Sequence, residues 1–431
     1  MEAKFSFFKA GQGSFYGGRI FSYENGKVYT IVYDCGTSPF ISGNSQSLNQ
    51  EIDFFKYSKA YYPHTDEIDL LFISHLDYDH VSGLRQILTR YQVKNIILPY
   101  IEKQQRQFFI ISIGTDNKPD DLSIDDYSEF LETPHTYIRE TSKNKEIQLY
   151  FVVPNDKEDI LYEGYGNGDV PTEVYPMGNP YTGQNEFIDE EGVLVYENNL
   201  QFFIQRQWEF TTYVKSVNKI AISSLKNCLK IIVNKKQDEI LDGEDLKKLI
   251  TQYRKQAHKC YTDCIGEINS NGLVLLHGPI NFEFLVSKIY PQCELNYFKI
   301  SSHFRQQILE RHPKKRKLTM MGTLLFGDTS INPSNNPISF PKDFKAKLGR
   351  VHVIQVPHHG SQKNWDFINF KNLKIGEDLD KYEIHTTTVC NFGYGNKYGH
   401  PSNDVVNDLS STLFLNTQFS RLNIVYEEIY S

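Results

Sequence analysis

No stretch of this 431-residue sequence approaches the ~20 consecutive apolar residues that a membrane span requires. The opening Met-Glu-Ala-Lys-Phe also lacks the apolar core that follows the basic start of a signal peptide. Cysteine is sparse: the residues at 35, 228, 260, 264, 293 and 390 are scattered, and the close pair, Cys260 and Cys264, is spaced as one helical turn rather than as a zinc ribbon. A disulfide framework is therefore not expected. Positive charge is not in excess, since 46 Lys and Arg face 53 Asp and Glu for a net −7, which excludes indiscriminate coating of nucleic acid but leaves a local basic channel open. Internal repeats and low-complexity linkers are missing as well. These absences predict a reduced, soluble, cytoplasmic protein with no membrane attachment. Aromatic side chains, by contrast, are plentiful, with 28 Tyr and 29 Phe, enough to fill a large core.

Hydrophobic patterning predicts an α/β protein. Phe5–Phe8, Phe15–Tyr23 and Lys27–Tyr33 read as strands, the last two joined by Asn25-Gly26, both of which tolerate the positive φ of a tight hairpin. Ile68–Ser74 is too continuously apolar for a half-exposed strand and reads as a buried one. Leu84, Ile87, Leu88 and Tyr91 follow at helical spacing, then a second apolar run at Asn95–Leu98, giving a strand–loop–helix–strand unit. Between about Tyr100 and Asn269 that regularity is lost. An acidic stretch, Asp116 to Glu132, reads as a solvated helix that Ser123 caps, and Asp242 caps a second helix carrying Leu246, Leu249, Ile250, Tyr253 and Ala257, with a wet basic face. His312–Lys317 is the densest basic cluster and reads as an exposed loop. Strand patterning returns at Leu273–Leu276, Thr323–Phe326, Val351–Val356, Thr386–Cys390, Leu413–Leu415 and Leu422–Tyr426.

Chemistry concentrates in Ser74-His75-Leu76-Asp77-Tyr78-Asp79-His80, directly after a buried strand. Residues two apart in an extended loop share a side, so His75 and Asp77 can grip one ion while Asp79 and His80 reach a second. Three later strands end in similar residues: Gly327-Asp328, Pro357-His358-His359-Gly360-Ser361, and the Asn396–Pro401 segment with His400. Each alone is modest, since Gly-Asp after a strand is usually a turn. Together they make a site.

In order along the chain, Gly11-Gln12-Gly13-Ser14, Tyr33-Asp34-Cys35-Gly36, His75–His80, Val152-Val153-Pro154, Asn269–Leu276, Gly327-Asp328, His358–Ser361 and Asn396–Pro401 resemble the metallo-β-lactamase fold, and its ComEC-like branch most closely. The resemblance implies an αββα sandwich built from residues 1–431 as a single catalytic domain. About 101–267 would be an insertion that includes a core strand near 148–154, and about 279–320 would be a second. It further implies His75, Asp77, Asp79 and His80 as metal ligands, Asp328 as a carboxylate bridging two ions, and His358 or His359 as the last ligand. Asp34 would hold a ligand in place through hydrogen bonds. Asp79 and His400 would be catalytic, while Ser361, Asn396, Lys397 and Tyr398 would face the substrate, with Lys363 and the amides around Gly360-Ser361 as further donors. The wider fold usually places another His ahead of the bridging Asp. Here Asn269 occupies that stretch, as in the ComEC-like branch, and His277 and His303 are the remaining candidates.

Two divalent ions bound this way lower the pKa of a shared water and stabilise a leaving oxygen, which is hydrolysis without a protein nucleophile. Asp77, standing where the wider fold usually has a second His, shifts the donor set toward oxygen and favours Mn²⁺, with Zn²⁺ the other candidate. The expected activity is a phosphodiesterase or nuclease acting on DNA. The alternatives are a hydrolase of a small phosphodiester, nucleotide, lactone or ester, and a catalytically weak interaction module. Family context adds a partner protein, such as an ATPase in a genome-defence setting.

Overall fold

The computed structural model describes the chain except residues 39–43, 58–64, 113–123, 155–173, 184, 188–189, 216–218, 237, 240, 242–244, 246–247, 250, 266–271, 281–283, 294–321, 333–337, 381–385 and 429–431. Ser123, Asp242, Leu246, Ile250, Asn269, His303 and the His312–Lys317 cluster therefore lie outside the described residues.

Two sheets face each other. Numbering strands along the chain, one sheet runs in the order β10 (Val193–Glu197), β8 (Gln148–Val153), β7 (Asn95–Pro99), β5 (Leu70–Phe72), β3 (Val28–Cys35), β2 (Phe15–Phe21), β1 (Glu2–Phe7), β19 (Ser420–Glu428) and β14 (Phe284–Cys293). The other runs β18 (Leu413–Asn416), β17 (Thr387–Asn391), β16 (Val351–Gln355), β15 (Gly322–Leu325), β13 (Leu273–Pro279), β12 (Trp208–Val214), β11 (Gln201–Ile204) and β9 (Val174–Met177). A short parallel pair, β4 (Glu67–Ile68) with β6 (Gln92–Val93), stands apart.

Strands β3, β5, β7 and β8 pair in parallel, as do β15 to β18, so the loops leaving their C-terminal ends gather at one edge. Phe5, Tyr33, Phe72, Phe202, Trp208, Leu275, Leu325 and Val389 form the apolar layer between the sheets. Helices Asn44–Tyr57, Leu84–Arg90, Lys103–Ser112, Ile124–Glu132 and Pro134–Thr141 cover the outer face of the first sheet, with Leu48, Ile87, Phe108, Phe130 and Ile138 buried there. Helices Lys342–Leu348 and Asn403–Leu409 cover the outer face of the second through Phe344, Leu348, Val405 and Leu409. Burying a side chain of this size stabilises the fold by about 1.5–3 kcal/mol relative to exposure. The result is the expected αββα sandwich. Among the described residues, no helix is long and apolar enough to cross a membrane.

The stretch 101–267 contributes more to the sandwich than its patterning suggested. Besides β8, its strand β10 pairs with β8 in the first sheet, and β9, β11 and β12 extend the second, with β12 hydrogen-bonded to β13. The core strand expected near 148–154 is β8, and these four strands enter the sheets beside it. Likewise, β14, within 279–320, pairs with β19. A correction concerns sulfur: Cys228 and Cys260 form a disulfide that ties helix Lys219–Ile232 to helix Arg254–Ile265. Cys264 lies one turn beyond it as a free thiol.

Candidate metal centre

The segment His75–His80 leaves β5 at the strand-end edge and enters a short helix, Tyr78–Val81. Glycine explains how it sits so deep. A side chain at Gly13 would lie 2.7 Å from the Asp79 carbonyl oxygen, and one at Gly36 would lie 2.5 Å from the backbone of Asp79 and His80. The loop can pack against both turns only because neither carries a Cβ.

Asp328, 2% exposed, is the centre of the cluster. Its Oδ1 lies 3.1 Å from His80 Nε2 and 3.7 Å from His359 Nε2; its Oδ2 lies 3.6 Å from His75 Nε2 and 3.5 Å from His358 Nε2. Asp79 Oδ2 approaches His359 Nε2 at 3.2 Å, and Asp77 Oδ2 approaches His75 Nε2 at 3.2 Å. Donors therefore divide into two groups that share one carboxylate. His75, with Asp77 beside it, and His358 approach Oδ2; His80 and His359, with Asp79 beside the latter, approach Oδ1. The sequence left open which of His358 and His359 would be a ligand, and the structure brings both within 3.7 Å of Asp328. Three consecutive residues, His358 (φ 45°), His359 (φ 53°) and Gly360 (φ 78°), hold left-handed backbone conformations, and the two rings face different oxygens of Asp328. Such conformations cost on the order of 1–3 kcal/mol each in non-glycine residues and are retained where surrounding structure enforces them.

Hydrogen bonds from behind fix the rings. Asp34 accepts from Ser74 N at 2.6 Å, Ser74 Oγ at 2.7 Å and His80 Nδ1 at 2.8 Å. The Nδ1 of His359 donates to the Asn391 carbonyl at 2.9 Å. With Nδ1–H committed, each ring turns its Nε2 toward carboxylate oxygens, and either a proton on that nitrogen or a metal ion can stand between the two. Buried atoms without hydrogen-bond partners collect at this spot: both nitrogens of His75, Asp77 Oδ1, His80 Nε2 and Asp328 Oδ1. Burial opposes ionisation of Asp328, yet the imidazoles of His358, His80, His359 and His75 hold its carboxyl well below the usual range. This donor set fits divalent metal ions, and among the described residues His75, His80 and Asp328, and Asp79, His80 and His359, form groups able to hold one.

His400 stands over the cluster, its ring 5.8 Å from that of His358 and 6.5 Å from that of His359. Burial, then those two rings, pushes its pKa down to about 3, so it is neutral near pH 7. Gln12 had no assigned role in the sequence, but its Oε1 accepts from Gly393 N and its Nε2 faces His400 Nδ1 at 3.4 Å. That pairing leaves the His400 proton on Nε2. Gln355, whose amide bridges Gly327 N and Ser14 Oγ, was missed too; its one signal is a buried polar residue ending an apolar strand.

Other expectations change. Asn396 donates to the Gly393 and His400 carbonyls and accepts from Tyr398 N and His400 N, so its amide is spent on shaping the loop and has nothing left for a substrate. The Ser361 amide is likewise bonded to the His358 carbonyl, and its side chain is buried. Lys397, Tyr398 and Tyr394 do lie exposed on the rim, and Lys363 is exposed nearby. His277 is far from the cluster in function, packed between Tyr16, Trp208, Phe5 and Phe210.

Comparison with known proteins agrees in part. Residues 24–196 match the Metallo-beta-lactamase superfamily model. That range holds Asp34 and His75–His80 and ends before Asp328, His358, His359 and His400. The two-sheet sandwich is consistent with that fold, and its candidate ligand groups are consistent with the divalent metals the superfamily binds. No curated protein matches the chain in sequence. Among solved structures, a long form RNase Z from yeast is similar, with a TM-score of 0.30 and 9% identity over 90% of this chain, which spans 36% of that protein.

Proposed function

We propose that this chain is a metal-dependent hydrolase of the ComEC-like type that cleaves phosphodiester bonds in DNA. One observation carries the reading: four histidines and two further carboxylates, from the loops after β5 and β16, converge with Asp328, from the loop after β15. Divalent ions held there would supply an acidified water and stabilisation of developing negative charge. The protein's own contribution is positional. Asp34 and Asn391 lock the His80 and His359 rings, Asp79 lies beside His359, and Gln12 sets the His400 tautomer with Nε2–H available to a leaving oxygen.

The rim supports a nucleic-acid substrate, because exposed Tyr394 and Tyr398 offer stacking faces and Lys397 lies 6.0 Å from the Tyr398 ring. A second reading, hydrolysis of a nucleotide or other small phosphodiester, lactone or ester, draws on a cleft of about 700 Å³ beside His400, lined by Phe392, Tyr394, Asn403 and Asp404. Incubating the protein with labelled single- and double-stranded DNA and with a nucleotide panel, each with Mn²⁺, separates the two. Absence of DNA cleavage by the wild type, or equal cleavage by Asp79→Ala, sinks the nuclease reading, and absence of hydrolysis of every substrate supports an interaction module. An associated ATPase is proposed on family context alone, and a pull-down recovering no stoichiometric partner would remove it.

A further inference from the structure

We propose that Tyr127, on the helix Ile124–Glu132, is a positioning residue for the metal-binding loop; the inference rests on the metal-centre reading above. The acidic stretch around this helix reads in sequence as a solvated surface. Its inner face is instead fully buried: Tyr127, Phe130 and Leu131 are all 0% exposed. The Tyr127 hydroxyl donates to the Leu76 carbonyl at 2.8 Å, and its ring meets Tyr78 edge to face at 5.6 Å.

Leu76 lies between His75 and Asp77, and Tyr78 lies between Asp77 and Asp79. Because the peptide unit is planar, fixing the Leu76 carbonyl fixes the 76–77 peptide plane, and with it constrains the direction in which Asp77 leaves the backbone. This stretch has left β5 and has not yet entered the helix at Tyr78, so no ladder or helix bond holds that carbonyl. Leu76 is 2% exposed, so without Tyr127 its carbonyl would be an unsatisfied buried acceptor. The helix that supplies the hydroxyl belongs to this chain's own long stretch between β7 and β8, and it packs on helix Lys103–Ser112, which packs on the disulfide-tied helix Arg254–Ile265. The outer helical layer thus reaches the metal loop through one phenol.

The test compares wild type, Tyr127→Phe and Tyr137→Phe. Tyr137 is a control from the adjacent helix, buried against Phe130 at 5.7 Å between ring centres. Metal-free proteins are titrated with Co²⁺, followed by the visible spectrum and by calorimetry, and hydrogen exchange is measured on the metal-free chains. Tyr127→Phe is expected to weaken Co²⁺ binding by about tenfold, to change the spectrum, and to speed exchange at residues 75–80, while Tyr137→Phe does none of these. Wild-type affinity, spectrum and exchange in Tyr127→Phe would overturn the proposal. Equal weakening in Tyr137→Phe would reduce it to a general packing effect and also overturn it. A wild type that binds no Co²⁺ would overturn the metal-centre reading itself, and this proposal with it.

Discussion

Replacing Asp34 with Asn tests how the protein prepares His80 for a metal. The Asp34 carboxylate accepts three bonds, from Ser74 N, Ser74 Oγ and His80 Nδ1. The amide has one acceptor oxygen; if that oxygen keeps the Ser74 N–H, its NH₂ group faces the His80 Nδ1–H. The ring must then move its proton to Nε2, the atom 3.1 Å from Asp328 Oδ1 where a cation would bind. Losing one charge-assisted bond costs about 1.5–3 kcal/mol, which corresponds to roughly a 10- to 100-fold loss of affinity and matches the usual penalty for removing such a supporting group. Folding should survive, because Asp34 sits at φ 56° and Asn tolerates that left-handed conformation as well as Asp does. Competition titration of the metal-free protein with Zn²⁺ or Mn²⁺ reads the effect. Unchanged affinity in Asp34→Asn would refute the account of why Asp34 is there.

Three further outcomes are expected. His277 is pushed by burial down to about 3, against ~6.5 in an unfolded chain. The unfolded state therefore binds the extra proton between these values, and stability falls as pH drops through 6.5, by about 2 kcal/mol at pH 5 from this residue. His277→Gln, which can still accept from Trp208 Nε1 and donate to Tyr16, should flatten that dependence in urea unfolding at pH 7.5 and pH 5, and parallel curves would contradict it. Reducing the Cys228–Cys260 bond, whose ends are 32 residues apart, should lower stability by about 3–4 kcal/mol, and identical denaturation with and without reductant would show that the bond does not form in solution. His400→Gln should reduce kcat by about 10²–10³-fold with unchanged metal content; wild-type kcat would remove His400 from catalysis.

The donors were legible because each follows an apolar strand: His75–His80 after β5, Asp328 after β15, and His358 and His359 after β16. The placement of His358 and His359 at different oxygens of Asp328 was not, since it accompanies left-handed backbone at residues 358 and 359 that no spacing reveals. Strands β11 and β12 escaped notice because Gln201, Glu209, Thr211 and Thr212 interrupt their apolar pattern while lying buried in the sheet. Cys228 and Cys260 are brought together by helix packing, a long-range effect that cysteine spacing cannot encode. Asn396 misled for the opposite reason, since a polar residue beside His400 suggests a substrate contact, yet its four hydrogen bonds are all internal. Tyr127 was hidden in an acidic segment whose charges mark only the outer face of its helix.

The most direct measurement is the metal content of the purified protein and of Asp328→Ala after equilibration with Mn²⁺ or Zn²⁺ and removal of free ions. Two donor groups sharing Asp328 predict two ions per wild-type chain and at most one in the variant, together with loss of hydrolysis. A wild type holding no ion, or a variant that keeps both, would contradict the account.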